Sequence, residues 1–145
     1  MKTIIAGAMA LLVMLAVLPA LANAQEIEKA AEKFLTSVPD HMMFLMPIKD
    51  LAAALKAMDA KVAVLDIRPP EHFNNGHIKG SMHIPLPMLV KEMKKIPTGK
   101  KIAVVCALDT NSAFAVAVLR MMGHDAWIVD GGIGGWVKMG MPLEK

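Results

Sequence analysis

The single cysteine of the chain, Cys106, closes the apolar run Ile102-Ala103-Val104-Val105, and a helical pattern begins at Ser112. A short β-branched run of this kind reads as a buried parallel strand. In an open α/β sheet, ligands gather at the carboxyl ends of such strands. Between strand and helix lie Ala107, Leu108, Asp109, Thr110 and Asn111. Together with Ser112 at the helix start, their backbone N–H groups can converge on one point and favour an anion there. A cysteine thiolate is such an anion, and a persulfide, which is larger, gains from the same donors. Cys106 is therefore the candidate nucleophile or sulfur carrier, with residues 107–112 as its substrate-binding loop. A strand-end cysteine that merely fills space is the competing reading, because free cysteine is among the most buried residue types. Position alone leaves both open.

A second group precedes it. Asp66 and Arg68 leave the end of the run Val62–Asp66 on the same side, and Glu71 follows within reach of Arg68. The trio is expected to form a structural ion-pair network that fixes a loop rather than to act on substrate. His77, between Gly76 and Ile78, is expected to be a loop histidine bonded to backbone. Fourteen methionines raise the question of copper, with soft ligands concentrated in His41–Met46 and paired again at Met82-His83 and Met121-Met122-Gly123-His124. Methionine also fills irregular core gaps where aromatics are few. The expectation is no metal and no cofactor.

These residues need a scaffold, and hydrophobic periodicity supplies one. Helical spacing is expected over Glu26–Leu35, with Ile27, Ala30, Ala31, Phe34 and Leu35 on one face, and over Ile48–Met58, with Leu51, Ala54, Leu55 and Met58 inward. Pro39 and Pro47 bracket an irregular segment. Strands are expected at Val62–Asp66, Met82–Ile84, Ile102–Cys106 and Ala126–Val129, and helices over Pro87–Lys95, Ser112–Met122 (stopped by Gly123) and around Trp136. Strands alternating with helices imply an α/β fold, a mainly parallel sheet of about five strands flanked by helices on both faces.

At the N-terminus, Lys2, an apolar stretch from Ile4 to Leu18, Pro19 and the small residues Ala22 and Ala24 make the pattern of a secretory signal peptide over residues 1–24, cut after Ala24. An uncleaved anchor is the other reading, since the stretch is nearly long enough to span a thinned bilayer. The mature chain then starts at Gln25, with an N-terminal helix and connecting segment over 25–47 and one domain over 48–145. It is expected in the periplasm or outside the cell, meeting the membrane only through its signal peptide. The net charge falls from +3 to +2 without Lys2, and no basic stripe interleaved with aromatics appears, which excludes nucleic acid as a favoured partner. One cysteine cannot form an internal disulfide, so the core alone must hold the domain.

From about Ile48 to Pro142 the chain resembles a rhodanese domain. Three blocks carry the resemblance, in the family's order. The first is LDIRPPEHFNNGHIKGSMHIP, through Asp66, Arg68, Glu71, Phe73, Gly76, His77, Ile78, Gly80, Ile84 and Pro85. The second is IAVVCALDTNSAFAVAVLR, the strand, active-site loop and helix. The third is GHDAWIVDGGIGGWVKMGMP, through Gly131, Gly132, Trp136, Gly140 and Pro142.

The resemblance implies a sulfurtransferase or sulfur carrier that forms a persulfide on Cys106. Its implied partners are a small donor (polysulfide or thiosulfate) and a thiol, cyanide or protein acceptor. The family's usual loop is Cys-x-x-Gly-x-Arg followed by a small residue. Here Asp109 stands where glycine is usual and Asn111 where arginine is usual. A charge-assisted hydrogen bond from that arginine is worth roughly 1.5–3 kcal/mol, so a dianion such as thiosulfate is expected to bind about ten- to a hundredfold more weakly. Related phosphatases close a longer loop on an arginine, which this loop lacks. The alternative to an enzyme is a non-catalytic rhodanese-like module binding a protein partner or sulfide.

Overall fold

The computed structural model describes residues 22–39 and 43–145. The expected signal sequence through residue 21, and His41 and Met42 of the methionine-rich segment, lie outside them. The chain divides into two compact units at Ser37 and Val38. In the first, helix α1 covers 22–36 and so runs through Ala24 and Gln25. Ala30, Ala31 and Phe34 are half-buried on it, whereas Ile27 and Leu35, expected on the same apolar face, are exposed. Among the described residues, no helix is long and apolar enough to cross a membrane.

The second unit is built on five parallel strands: β1 (Leu45–Met46), β2 (Val62–Asp66), β3 (Met82–His83), β4 (Lys101–Val105) and β5 (Asp125–Val129), in the order β1-β5-β4-β2-β3. Successive side chains of a strand point to opposite faces, and the core divides accordingly. Val64, Ala103, Val105 and Val129 pack with Ile48 and Leu51 of α2 (Ile48–Lys56) and with Ile133 and Trp136 of α5 (Gly132–Lys138). Their alternates Leu65, Ile102, Val104 and Ile128 are buried on the opposite face. There α4 (Thr110–Met121) lies against β4 and β5 and buries Ala115, Val116 and Leu119. Parallel strands covered on both faces read as continuous apolar runs, which is why β4 is so plain in the sequence.

Three departures from expectation have local causes. Residues 87–95 do not form one helix but two 3-10 turns, Leu86–Met88 and Met93–Lys95. Pro85 and Pro87 carry no N–H, and a proline disfavours the helical conformation in the residue before it. A short helix, α3 (Pro70–Asn74), forms where none was expected; Pro70 sits in its first turn, where a missing N–H costs nothing. Leu45–Met46, expected to be irregular, pair with Ile128 and Val129 as the fifth strand. In addition, Met58 is 87% exposed rather than inward, because α2 ends at Lys56 and Met58 turns away at φ 50°.

Candidate functional site

Strands β2 and β4 pair in register from Val62–Lys101 to Asp66–Val105, and the N–H of Ile67 extends the ladder to the carbonyl of Val105. Cys106 therefore leaves the sheet beside Ile67, at the carboxyl end of two central strands. Its side chain is 4% exposed, and its thiol donates a hydrogen bond to the carbonyl of Leu108.

The loop is held from below by α5. Ile133 and Gly134 donate their N–H groups to the carbonyls of Cys106 and Ala107. This contact requires Gly131 and Gly132 at the helix start, with φ 72° and 55°. A β-carbon on Gly132 would overlap the Leu108 carbonyl oxygen and stand 2.5 Å from that of Cys106. In the sequence this glycine pair stands out only as part of the third block of the family resemblance; the tight strand-to-helix turn of a glycine dipeptide was the available signal for a close backbone approach.

A trans peptide sets its carbonyl and N–H in opposite directions. With the Cys106 and Ala107 carbonyls turned to α5, the N–H groups of Ala107 and Leu108 face away from it. From Ala107 to Ser112, six successive backbone N–H groups donate no hydrogen bond among the described residues. The last three, of Thr110, Asn111 and Ser112, belong to the first turn of α4, whose donors have no intrahelical acceptor. Ala107, Leu108, Thr110 and Asn111 are exposed and Ser112 is fully buried. Asp109, at the cap position, has φ −111° and ψ −24°, so it is not left-handed, and its carboxylate makes no capping bond. Its Oδ1 and the Ser112 hydroxyl are both shut off from solvent without a partner.

Asp66 and Arg68 form the expected pair, 1% and 7% exposed. Arg68 Nε and Nη2 both reach the carboxylate, the shortest contact being 2.6 Å, and Nη2 also donates to the carbonyl of Gly76 at 2.8 Å. Glu71 is a correction to the expected trio. It is exposed on α3 and makes no ion pair among the described residues. The Gly76 carbonyl takes the position a second carboxylate would have had, satisfying the guanidinium without a second buried anion.

His77 bonds to backbone as expected, Nδ1–H donating to the Phe73 carbonyl at 3.2 Å. Phe73 is stacked between the rings of His77 and His83, at 3.9 and 4.1 Å between centroids. His83, considered above as a soft ligand beside Met82, instead donates through Nε2–H to the Arg68 carbonyl at 2.8 Å. The stack thus braces the chain that follows β2. Glu144 closes the same loop, its backbone pairing with that of His77 and its carboxylate accepting from the Gly80 N–H.

Beside the cysteine loop opens a cavity of about 340 Å³. Ile67, Pro69, Pro70, Pro85, Leu86 and Pro87 wall it, and Asn111 of the loop borders it. Sequence reasoning did not find this cavity, because its walls come from three separated segments.

The Rhodanese-like domain family matches residues 49–139. The thiosulfate sulfurtransferase GlpE of Vibrio cholerae is 29% identical over 107 residues, spanning 72% of this chain and 97% of that protein. A rhodanese-related protein from Thermoplasma volcanium has the same fold, with a TM-score of 0.63 and 34% identity over 68% of this chain and 95% of its own. A Rhodopseudomonas palustris protein described as a possible tyrosine phosphatase superposes with a TM-score of 0.64 and 25% identity, over 81% of this chain and 93% of its own. The five-stranded parallel sheet, the strand-end cysteine loop and these matches agree: the chain belongs to the family of rhodanese-like domains.

Proposed function

We propose that this protein moves single sulfur atoms through a persulfide on Cys106, from a small donor such as polysulfide to a thiol, cyanide or protein acceptor. In loading, the Cys106 thiolate attacks the terminal sulfur of R–S–SH. The enzyme S–S bond forms as the donor S–S bond breaks, R–S⁻ leaves, and no outside oxidant or reductant enters. In unloading, the acceptor nucleophile takes the outer sulfur and Cys106 departs as thiolate.

The observation that carries this reading is the row of six unengaged N–H groups from Ala107 to Ser112 beside a buried thiol. Unpaired donors in such a turn and helix start favour an anion, and the loaded form has one to offer. In the resting form the Leu108 carbonyl accepts the thiol proton; once that proton is lost, only the N–H groups attract the sulfur. The same loop argues against phosphatase chemistry, since it brings no arginine to a phosphate. The pattern of Lys2, the apolar stretch Ile4–Leu18 and Ala22-Asn23-Ala24 supports a secretory leader over residues 1–24, and with it a proposed site of action in the periplasm or outside the cell.

A second reading, a binding module without turnover, draws support from Asp109, whose buried carboxylate oxygen opposes an incoming anion. Intact-mass spectrometry separates the two. Incubation with polysulfide should add one sulfur that cyanide removes, and Cys106→Ser should add none. Serine keeps the hydrogen bond to Leu108, so the variant should fold and melt as the parent does. Folded protein with a free thiol that gains no sulfur from polysulfide or thiosulfate would transfer the case to the binding module.

A further inference from the structure

We infer that the proline-walled cavity beside Asn111 is a subsite for the organic group of the sulfur donor, and that the preferred donors carry a small apolar substituent. The inference rests on the persulfide reading above and adds the substrate class to it. Ile67, in the cavity wall, is the register neighbour of Cys106 across β2 and β4, and Asn111 belongs at once to the cysteine loop and to the cavity lining. The cavity thus adjoins both the strand end and the loop that carry Cys106.

The lining selects against charge. None of the residues bordering the cavity is ionisable. Prolines have no N–H to offer, and the N–H of Leu86 is already given to the Ile67 carbonyl. The Asn111 amide is the one polar side chain, at the end nearest the loop. An occupant is therefore oriented with its apolar group against Pro69, Pro70, Leu86 and Pro87 and its sulfur-bearing head toward Asn111. Leu108 and Phe114, 66% and 63% exposed, continue the apolar character of the loop and the first turns of α4. The volume lies at the small end of ligand pockets, which suits an aryl or short alkyl group. Inorganic thiosulfate has nothing to place there.

Two thiosulfonates of equal charge test this. Cys106 thiolate attacks the terminal sulfur of benzenethiosulfonate or methanethiosulfonate; the bond from that sulfur to the sulfonyl sulfur breaks, a sulfinate leaves, and Cys106 persulfide remains. Loading rates are divided by those of a small thiol in solution, which removes the difference in leaving group. After that correction kcat/KM should favour the phenyl donor by about tenfold or more, the expected gain from burying several ring carbons. Leu86→Gln and, at an exposed wall position, Pro87→Gln should each carry the ratio toward one. A corrected ratio near one, or a ratio that both variants leave intact, overturns the subsite.

Failure of the chemistry is read separately. Unreactive benzenesulfonate, titrated into Cys106→Ser, should shift the amide resonance of Leu86. A shift without loading by either donor keeps the subsite and sinks the persulfide. Loading without a shift and without phenyl preference does the reverse.

Discussion

Gly132 and Leu108 are so closely apposed that a β-carbon on the first would overlap the carbonyl oxygen of the second. The contact ties the start of α5 to the cysteine loop and leaves room for nothing larger than hydrogen. Gly132→Ala also faces a φ of 55°, a region that L side chains rarely adopt. We expect a loss of roughly 2–4 kcal/mol from strain and overlap together, read in denaturant titration. Sulfur loading should fall further than stability alone explains, because the displaced groups are the peptides beside Cys106. A variant that loads at the parental rate would show that the loop position does not depend on this contact.

The Asp66–Arg68 pair and Glu71 make a matched comparison. Removing one partner of a buried pair strands the other charge, so Arg68→Ala should destabilise by about 3–5 kcal/mol. Glu71→Ala changes an exposed side chain without an ion pair and should stay within about 0.5 kcal/mol. Equal losses in chemical denaturation would restore Glu71 to the network.

Asn111→Arg supplies the cation usual in the family at an exposed loop position. Thiosulfate loading should rise by about ten- to a hundredfold in kcat/KM, the value of one charge-assisted hydrogen bond. Asp109→Gly removes the buried carboxylate oxygen and should raise loading by anionic donors in the same direction. Unchanged thiosulfate kinetics in both variants would mean that charge in the loop does not select the donor.

Export should be visible in the mass of the protein recovered from cells. A chain beginning at Gln25 is expected from the Ala22-Asn23-Ala24 pattern. Recovery of the chain with residues 1–24 intact in the membrane fraction would support the anchor instead.

Much of the molecule is legible in the residue order. The apolar, β-branched runs at Val62–Asp66 and Ile102–Val105 read as buried strands, and the spacing after Ser112 as a helix packed on one side. Period and burial are local properties, and local order records them. Cys106 at a strand end followed by a short loop likewise marked a candidate site in residue order alone. What the sequence could not decide was contact between distant segments. Leu45–Met46 became a strand only because Ile128 and Val129 offered an open edge. Arg68 turns to the Gly76 carbonyl, eight residues on, and not to the exposed Glu71. The row of unengaged N–H groups exists because α5 draws the Cys106 and Ala107 carbonyls away, a hydrogen-bond choice made across some 27 residues of chain. The proline cavity arises from the meeting of residues 67–70, 85–87 and 111. Residue order states which groups are available, and close packing in three dimensions decides which of them meet.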